Sequence, residues 1–252
     1  MQLYFKEFGH GQPLILLHGL LGSLDNWLGV APKLAEKFHV FALDQRNHGL
    51  SPHSSEMNYP VMARDVDKFF DAQKIESAFV IGHSLGGKTA MQFALQFSER
   101  VDKLVVEDIA PRKYESVHIG ILEALLALDL KSFSTRQEIE DALAPQIPGL
   151  AMRRFLLKNL SRAADGKFFW KANLRGIAEN YPAFGEAIST STSFAKPSLF
   201  IRGEKSNYVK PEDEALIRQI FPQARMEMIA GANHWVHGEK PEDFLKLVLD
   251  FL

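Results

Sequence analysis

The chain has 252 residues, 46% of them hydrophobic, with a formal net charge of −2 and no cysteine. That length suits one large domain, or a domain carrying an insert, with enough apolar content for a sizeable core. The near-zero charge gives no electrostatic argument for nucleic acid or an anionic membrane surface, and the lack of cysteine excludes disulfides, a thiolate nucleophile and zinc–sulfur sites. Residues 1–7 alternate like a strand and lack the apolar core of a signal peptide. No uncharged apolar run reaches transmembrane length, so a cytoplasmic protein with no membrane insertion is expected.

In chain order, Leu14-Ile15-Leu16-Leu17 is an apolar run ending at His18-Gly19, and a helix is expected from about Trp27 to Lys37. Val40–Leu43 is a second strand, ending at Asp44. Asn58 caps a helix with Pro60 in its first turn, and Met62, Val66, Phe69 and Phe70 share one face. Ala78–Ile81 and Leu104–Val106 are further strands, separated by a helix from Leu85 to Phe97. Near-continuous apolar strands alternating with helices imply a mostly parallel sheet covered on both sides.

The alternation stops between Pro111 and Ala195. Val117–Leu130, Arg136–Leu143 and Met152–Leu160 carry helical patterns, and Gly166–Trp170 is a turn followed by a short aromatic run. Strands return at Ser198–Ile201 and Arg225–Ile229, with a helix from about Glu212 to Ile220 between them and an amphipathic helix, Pro241–Leu252, closing the chain. Residues 112–195 are therefore expected to form a helical cap over the carboxyl edge of a core made of 1–111 and 196–252, the edge where open α/β sheets bind ligands. The cap aromatics Phe155, Phe168, Phe169, Trp170, Tyr181 and Phe184 either line a pocket or fill the cap's own core.

The chemistry centres on Gly82-His83-Ser84-Leu85-Gly86, a G-x-S-x-G pentapeptide between a strand and a helix. A serine on that sharp turn is held in a strained conformation with its hydroxyl outward, and side chains at Gly82 and Gly86 would clash. Serine needs a base and a carboxylate to orient that base, and folds with this elbow place them in the order serine, acid, histidine. Only His118, His234 and His237 follow Ser84. His234, in the loop Gly231–Trp235 after the last strand, is the base expected here; His118 belongs to no strand end, and His237 reads as a polar residue opening the final helix.

The acid commonly follows the strand corresponding to Ser198–Ile201, but Ser206 and Asn207 stand there, and Glu204 is too near the strand end. The end of the preceding core strand offers Glu107 and Asp108, which point to opposite faces, so at most one faces the histidine. Asp108 is the expected acid, against the alternative of a helix-capping aspartate before Pro111. The oxyanion donors expected are the backbone N–H groups of Leu85 and Leu20. His18 is read as bracing its loop through backbone hydrogen bonds, His83 as packing behind the elbow, and Asp44–His48 as a hydrogen-bonded turn rather than a metal site.

The segments His18–Trp27, Asp44–Ser51, Gly82–Lys88, Glu107–Pro111 and Gly231–His237 together resemble the α/β-hydrolase superfamily. The Arg46-Asn47-His48-Gly49 and Asp108-Ile109-Ala110-Pro111 segments are similar, more narrowly, to YbfF-type bacterial esterases and their mitochondrial abhydrolase relatives. The resemblance implies a serine esterase of broad acyl-ester specificity that needs no cofactor, and it supports the acid at Asp108. Its partner is then a small-molecule acyl ester. Perhydrolysis or C–C bond hydrolysis by the same residues, and a non-enzymatic small-molecule sensor, remain open, because fold does not decide function.

Overall fold

The computed structural model describes residues 1–115, 119–188 and 190–252. Seven strands make one sheet: β1 (Phe5–Phe8), β2 (Pro13–Leu17), β3 (His39–Leu43), β4 (Ala78–His83), β5 (Val101–Glu107), β8 (Ser198–Gly203) and β9 (Ala224–Ile229). Their spatial order is β1-β3-β2-β4-β5-β8-β9. Every pairing is parallel except that of edge strand β1 with β3.

The pleat sends alternate residues of each strand to opposite faces. Leu14, Leu16, Val40, Ala42, Ile81, Val105 and Leu199 form one buried layer with Trp27, Leu34, Phe244 and Val248. Ile15, Leu17, Phe41, Val80, Leu104 and Val106 form the other with Met62, Phe69, Phe70 and Phe93. Burial on both faces is what makes these strands read as unbroken apolar runs.

Helix α2 (Tyr59–Gln73) starts where expected: Asn58 Oδ1 accepts from Val61 N–H at 3.0 Å. Helix α3 (Leu85–Gln96) leaves the elbow, and almost all of its residues are buried. The expected Trp27–Lys37 helix is instead a 3₁₀ turn, Leu24–Trp27, and a single turn α1, Ala31–Leu34. Pro32 has no N–H to donate back to the Leu28 carbonyl and its ring would clash there, which disfavours one continuous helix and leaves Pro32 in the first turn of α1. Helices α9 (Glu214–Ile220), α10 (Val236–Glu239) and α11 (Pro241–Phe251) complete the layers around the sheet.

The insertion contains α4 (Ile119–Leu126), α5 (Arg136–Leu143), α6 (Leu150–Leu157), α7 (Leu174–Glu179) and α8 (Tyr181–Gly185). It is not wholly helical, which corrects the sequence reading. β6 (Leu160–Arg162) and β7 (Phe168–Trp170) pair antiparallel, so Leu160 closes no helix and the aromatic run is a strand. Three-residue strands are too short to show a period, and Gly166, at φ +84°, makes the turn between them. Of the aromatics named for this segment, Tyr181 and Phe184 are buried in a cluster continuous with the sheet, Phe169 is exposed, and Phe155 packs on Trp235 at 5.0 Å. No helix among the described residues is long and apolar enough to cross a membrane.

Candidate active site

Ser84 lies between β4 and α3 at φ +53°, ψ −115°. A non-glycine residue is strained there and persists only when its surroundings enforce it. Ser84 N–H donates to Glu107 O at 3.0 Å, and its own carbonyl accepts from Lys88 N–H at 3.0 Å. A Cβ at Gly82 would overlap the Gly86 carbonyl, and one at Gly86 would overlap the Leu17 carbonyl, so both glycines are sterically required.

The loop after β9 carries His234 over this elbow. His234 Nε2 is 3.1 Å from Ser84 Oγ, and Nδ1 is 2.7 Å from Asp108 Oδ2. The Asp108 side chain is fully buried, and its backbone turns at φ +49° immediately beyond β5. Its Oδ1 accepts from Gly203 N–H at 3.0 Å, and Oδ2 accepts from both His234 and Ser206 Oγ. The Tyr208 ring stacks on the His234 imidazole at 3.9 Å. Sequence reasoning marked Ser206 only as standing where an acid was absent; in the structure its hydroxyl donates to Asp108 Oδ2. Glu204 turns away and accepts from Gly231 N–H at 2.8 Å.

A second histidine–carboxylate pair lies beside the first. Glu107, the last residue of β5, faces the opposite way from Asp108 and accepts from His237 N–H at 2.9 Å and Nδ1 at 2.8 Å. His237 is buried and stacked on Trp27 at 4.2 Å, and it lies within the short α10 rather than opening the final helix, which starts at Pro241. Burial pushes the Glu107 carboxyl up, but His237 and His83 beside it and the hydrogen bonds from His237 hold it below its ordinary value. His83 is fully enclosed, which lowers its pKa to about 3, so it is neutral. Its Nε2–H donates to the His234 carbonyl at 2.8 Å, tying the strand before the elbow to the loop that carries His234. His118 lies outside the described residues.

The loop after β2 presses on the elbow: a Cβ at Gly19 would stand 2.8 Å from His83 Nδ1 and 3.4 Å from Ser84 Cβ. Among the described residues no acceptor is paired with the N–H of Leu20 or of Leu85. His18 donates from Nδ1 to Gly19 O at 2.8 Å and accepts from Gln45 N–H at Nε2, 3.0 Å. Burial lowers its pKa to about 4. In the Asp44–His48 turn, Asp44 accepts from Leu24 and Leu50 N–H at 2.7 and 2.8 Å. Among the described residues no three His, Asp or Glu side chains are grouped as a metal site requires.

Sequence reasoning also missed Lys88, one turn beyond Ser84. Its buried ammonium donates to the carbonyls of Arg112 at 2.9 Å and Glu186 at 2.6 Å, near the two ends of the insertion. Burial, then the Arg112 charge, lowers its pKa to about 7 against a weaker pull from Glu186.

Residues 12–241 match the alpha/beta hydrolase fold family. The chain is 38% identical over 244 residues to Esterase YbfF of Escherichia coli (strain K12), covering 96% of this chain and 94% of that one. It is 36% identical over 250 residues to sn-1-specific diacylglycerol lipase ABHD11 of Xenopus tropicalis, covering 96% of this chain and 78% of the relative. A solved structure described as a marine microorganism esterase superposes with a TM-score of 0.97 at 43% identity, over 100% of this chain and 99% of that one. With that breadth of likeness, the chain belongs to the α/β-hydrolase family, as one of its esterase-type enzymes.

Proposed function

We propose that this enzyme hydrolyses carboxylic esters through an acyl-enzyme, with Ser84 as nucleophile, His234 as general base and acid, and Asp108 as the orienting carboxylate. The observation that carries the reading is the unbroken line from Asp108 Oδ2 through His234 to Ser84 Oγ, at 2.7 and 3.1 Å. Nδ1 faces a carboxylate and so holds a proton, which leaves the Nε2 lone pair directed at the serine hydroxyl. His234 takes that proton as Oγ attacks the ester carbonyl, then returns it to the departing alkoxide. Water repeats the sequence on the acyl-enzyme and releases the acid. The Leu20 and Leu85 N–H groups, which have no other acceptor among the described residues, would bind the oxyanion of each tetrahedral intermediate.

Residues 112–195 act as the cap and 1–111 with 196–252 as the catalytic core in this reading. The pairing of Tyr114 N–H with Gly185 O at 2.7 Å, and of Ile188 N–H with Pro111 O at 2.8 Å, draws the cap's two ends together. Substrates are acyl esters whose chains pass between cap and core; relatives named esterase and diacylglycerol lipase support that class. The test is p-nitrophenyl ester turnover across acyl-chain lengths, with phosphonate labelling. Ser84→Ala is expected to lose turnover by several orders of magnitude, and the phosphonate to label Ser84 alone. Residual activity within about tenfold of the parent, or labelling elsewhere, refutes the assignment.

A further inference from the structure

The loop that presents Leu20 N–H is a four-residue turn, closed by Gly22 N–H donating to Gly19 O at 3.0 Å. Its third residue, Leu21, sits at φ +56°. That position in such a turn suits glycine, and a leucine there is strained unless its peptide groups are held. Relaxing Leu21 to negative φ would rotate the peptide between Leu20 and Leu21, which adjoins the Leu20 N–H across a single Cα, and would loosen the turn that aims that N–H.

Leu21 is held on both sides. Its N–H donates to His48 Nε2 at 3.1 Å. His48 is buried and its Nδ1 faces the Arg46 carbonyl at 2.9 Å, so Nδ1 carries the proton and Nε2 accepts. Burial, with His18 nearby, lowers its pKa to about 3, which keeps this tautomer neutral. The Leu21 carbonyl accepts from the Nδ2 of Asn159 at 2.5 Å. Asn159 belongs to the insertion, in the turn between α6 and β6, and it is buried.

Its Nδ2 also reaches Leu156 O at 3.3 Å, whereas its Oδ1 has no hydrogen-bond partner among the described residues. Reversing the amide would aim Oδ1 at the Leu21 carbonyl, oxygen against oxygen. The observed orientation is therefore the one that lets Asn159 donate, at the cost of an orphaned acceptor. Packing alone would be served by an aliphatic side chain.

We propose that Asn159 is a positioning residue through which the cap holds the oxyanion loop, so that the cap contributes to transition-state stabilisation as well as to access. The inference rests on the reading of Leu20 as an oxyanion donor. It departs from the view that a cap only gates, because the side chain that fixes the residue next to Leu20 comes from the inserted segment. A second contact of cap and core, Asn173 Nδ2 to Asn47 Oδ1 at 3.1 Å, anchors the neighbouring turn without touching Leu21.

The experiment compares Asn159→Leu with Asn173→Ala on p-nitrophenyl acetate, a substrate too short to depend on the cap for its acyl chain. A trifluoromethyl ketone, whose serine adduct carries the oxyanion, serves as the probe of that site. Asn159→Leu is expected to lower kcat about tenfold or more, less than the 10²–10³ that outright loss of a donor costs, with KM within about threefold. Trifluoromethyl ketone affinity should fall in parallel with kcat/KM. Asn173→Ala should leave both within about twofold. If Asn159→Leu does not fold, Asn159→Asp keeps the size, removes the donor and should show the same loss. An Asn159 variant that is folded and within twofold of the parent in kcat and ketone affinity overturns the proposal, as does an equal loss in Asn173→Ala. Ser84→Ala run alongside separates the two readings. If it is inactive while the Asn159 variants are unchanged, only this inference fails; if it retains activity, both fail.

Discussion

Replacing Asp108 by asparagine is the sharpest test of how this site orients its base. Asp108 Oδ1 accepts from Gly203 N–H, a backbone donor that cannot turn away, so the amide oxygen of the introduced asparagine must take that side. The amide NH₂ then occupies the position of Oδ2, facing Ser206 Oγ and His234 Nδ1. Ser206 can rotate its hydroxyl to accept, but His234 accommodates a donor only by moving its own proton to Nε2. That places a proton between the imidazole and Ser84 Oγ, where a lone pair is needed. In a well-studied triad the same exchange costs about 10⁴ in kcat, equivalent to about 5 kcal/mol of barrier. We expect a loss of that order in kcat for p-nitrophenyl acetate, with KM changed by less than about threefold and the thermal transition intact. Glu204→Gln, which alters a carboxylate bound to Gly231 N–H, should stay within about tenfold. A kcat for Asp108→Asn within tenfold of the parent, or an equal loss in Glu204→Gln, would falsify the reasoning.

Glu107→Gln should act on stability instead. Glutamine keeps one acceptor for His237 but removes a buried charge, a cost of roughly 1–3 kcal/mol, or a fall in Tm of roughly 3–10 °C, with kcat within about tenfold. The folded pKa of Glu107 lies below the ordinary 4.5, so its contribution is present above that value and lost as pH falls through the folded one. The Tm gap between parent and variant should therefore close only in acid, and a gap that closes between pH 6 and 8 would overturn the assignment. For Lys88, with a folded pKa of about 7 against an ordinary 10.5, the unfolded chain binds more protons across that window, so its contribution to stability rises with pH. Tm measured from pH 7 to 9 should rise in the parent relative to Lys88→Met, and parallel curves would refute the shift.

The sheet was legible in the sequence because burial on both faces leaves unbroken apolar runs such as Leu14–Leu17 and Ala78–Ile81, and such runs need no partner to be recognised. The elbow was legible for the same local reason: two glycines and a serine between strand and helix encode their own turn. The adjacent pair Glu107-Asp108 already implied two destinations, since neighbouring strand residues face opposite sides. Where those carboxylates went was a tertiary matter. His234 and His237 are three residues apart, yet one meets Asp108 over the elbow and the other meets Glu107 beneath it, because the chain enters a helical turn between them. Ser206 on Asp108, Lys88 on the Glu186 carbonyl and Asn159 on Leu21 join residues 98, 98 and 138 positions apart. Single hydrogen bonds at such separations leave no periodic trace in a chain. The short β6–β7 hairpin escaped for a related reason, being stabilised by pairing across a turn rather than by a pattern long enough to read.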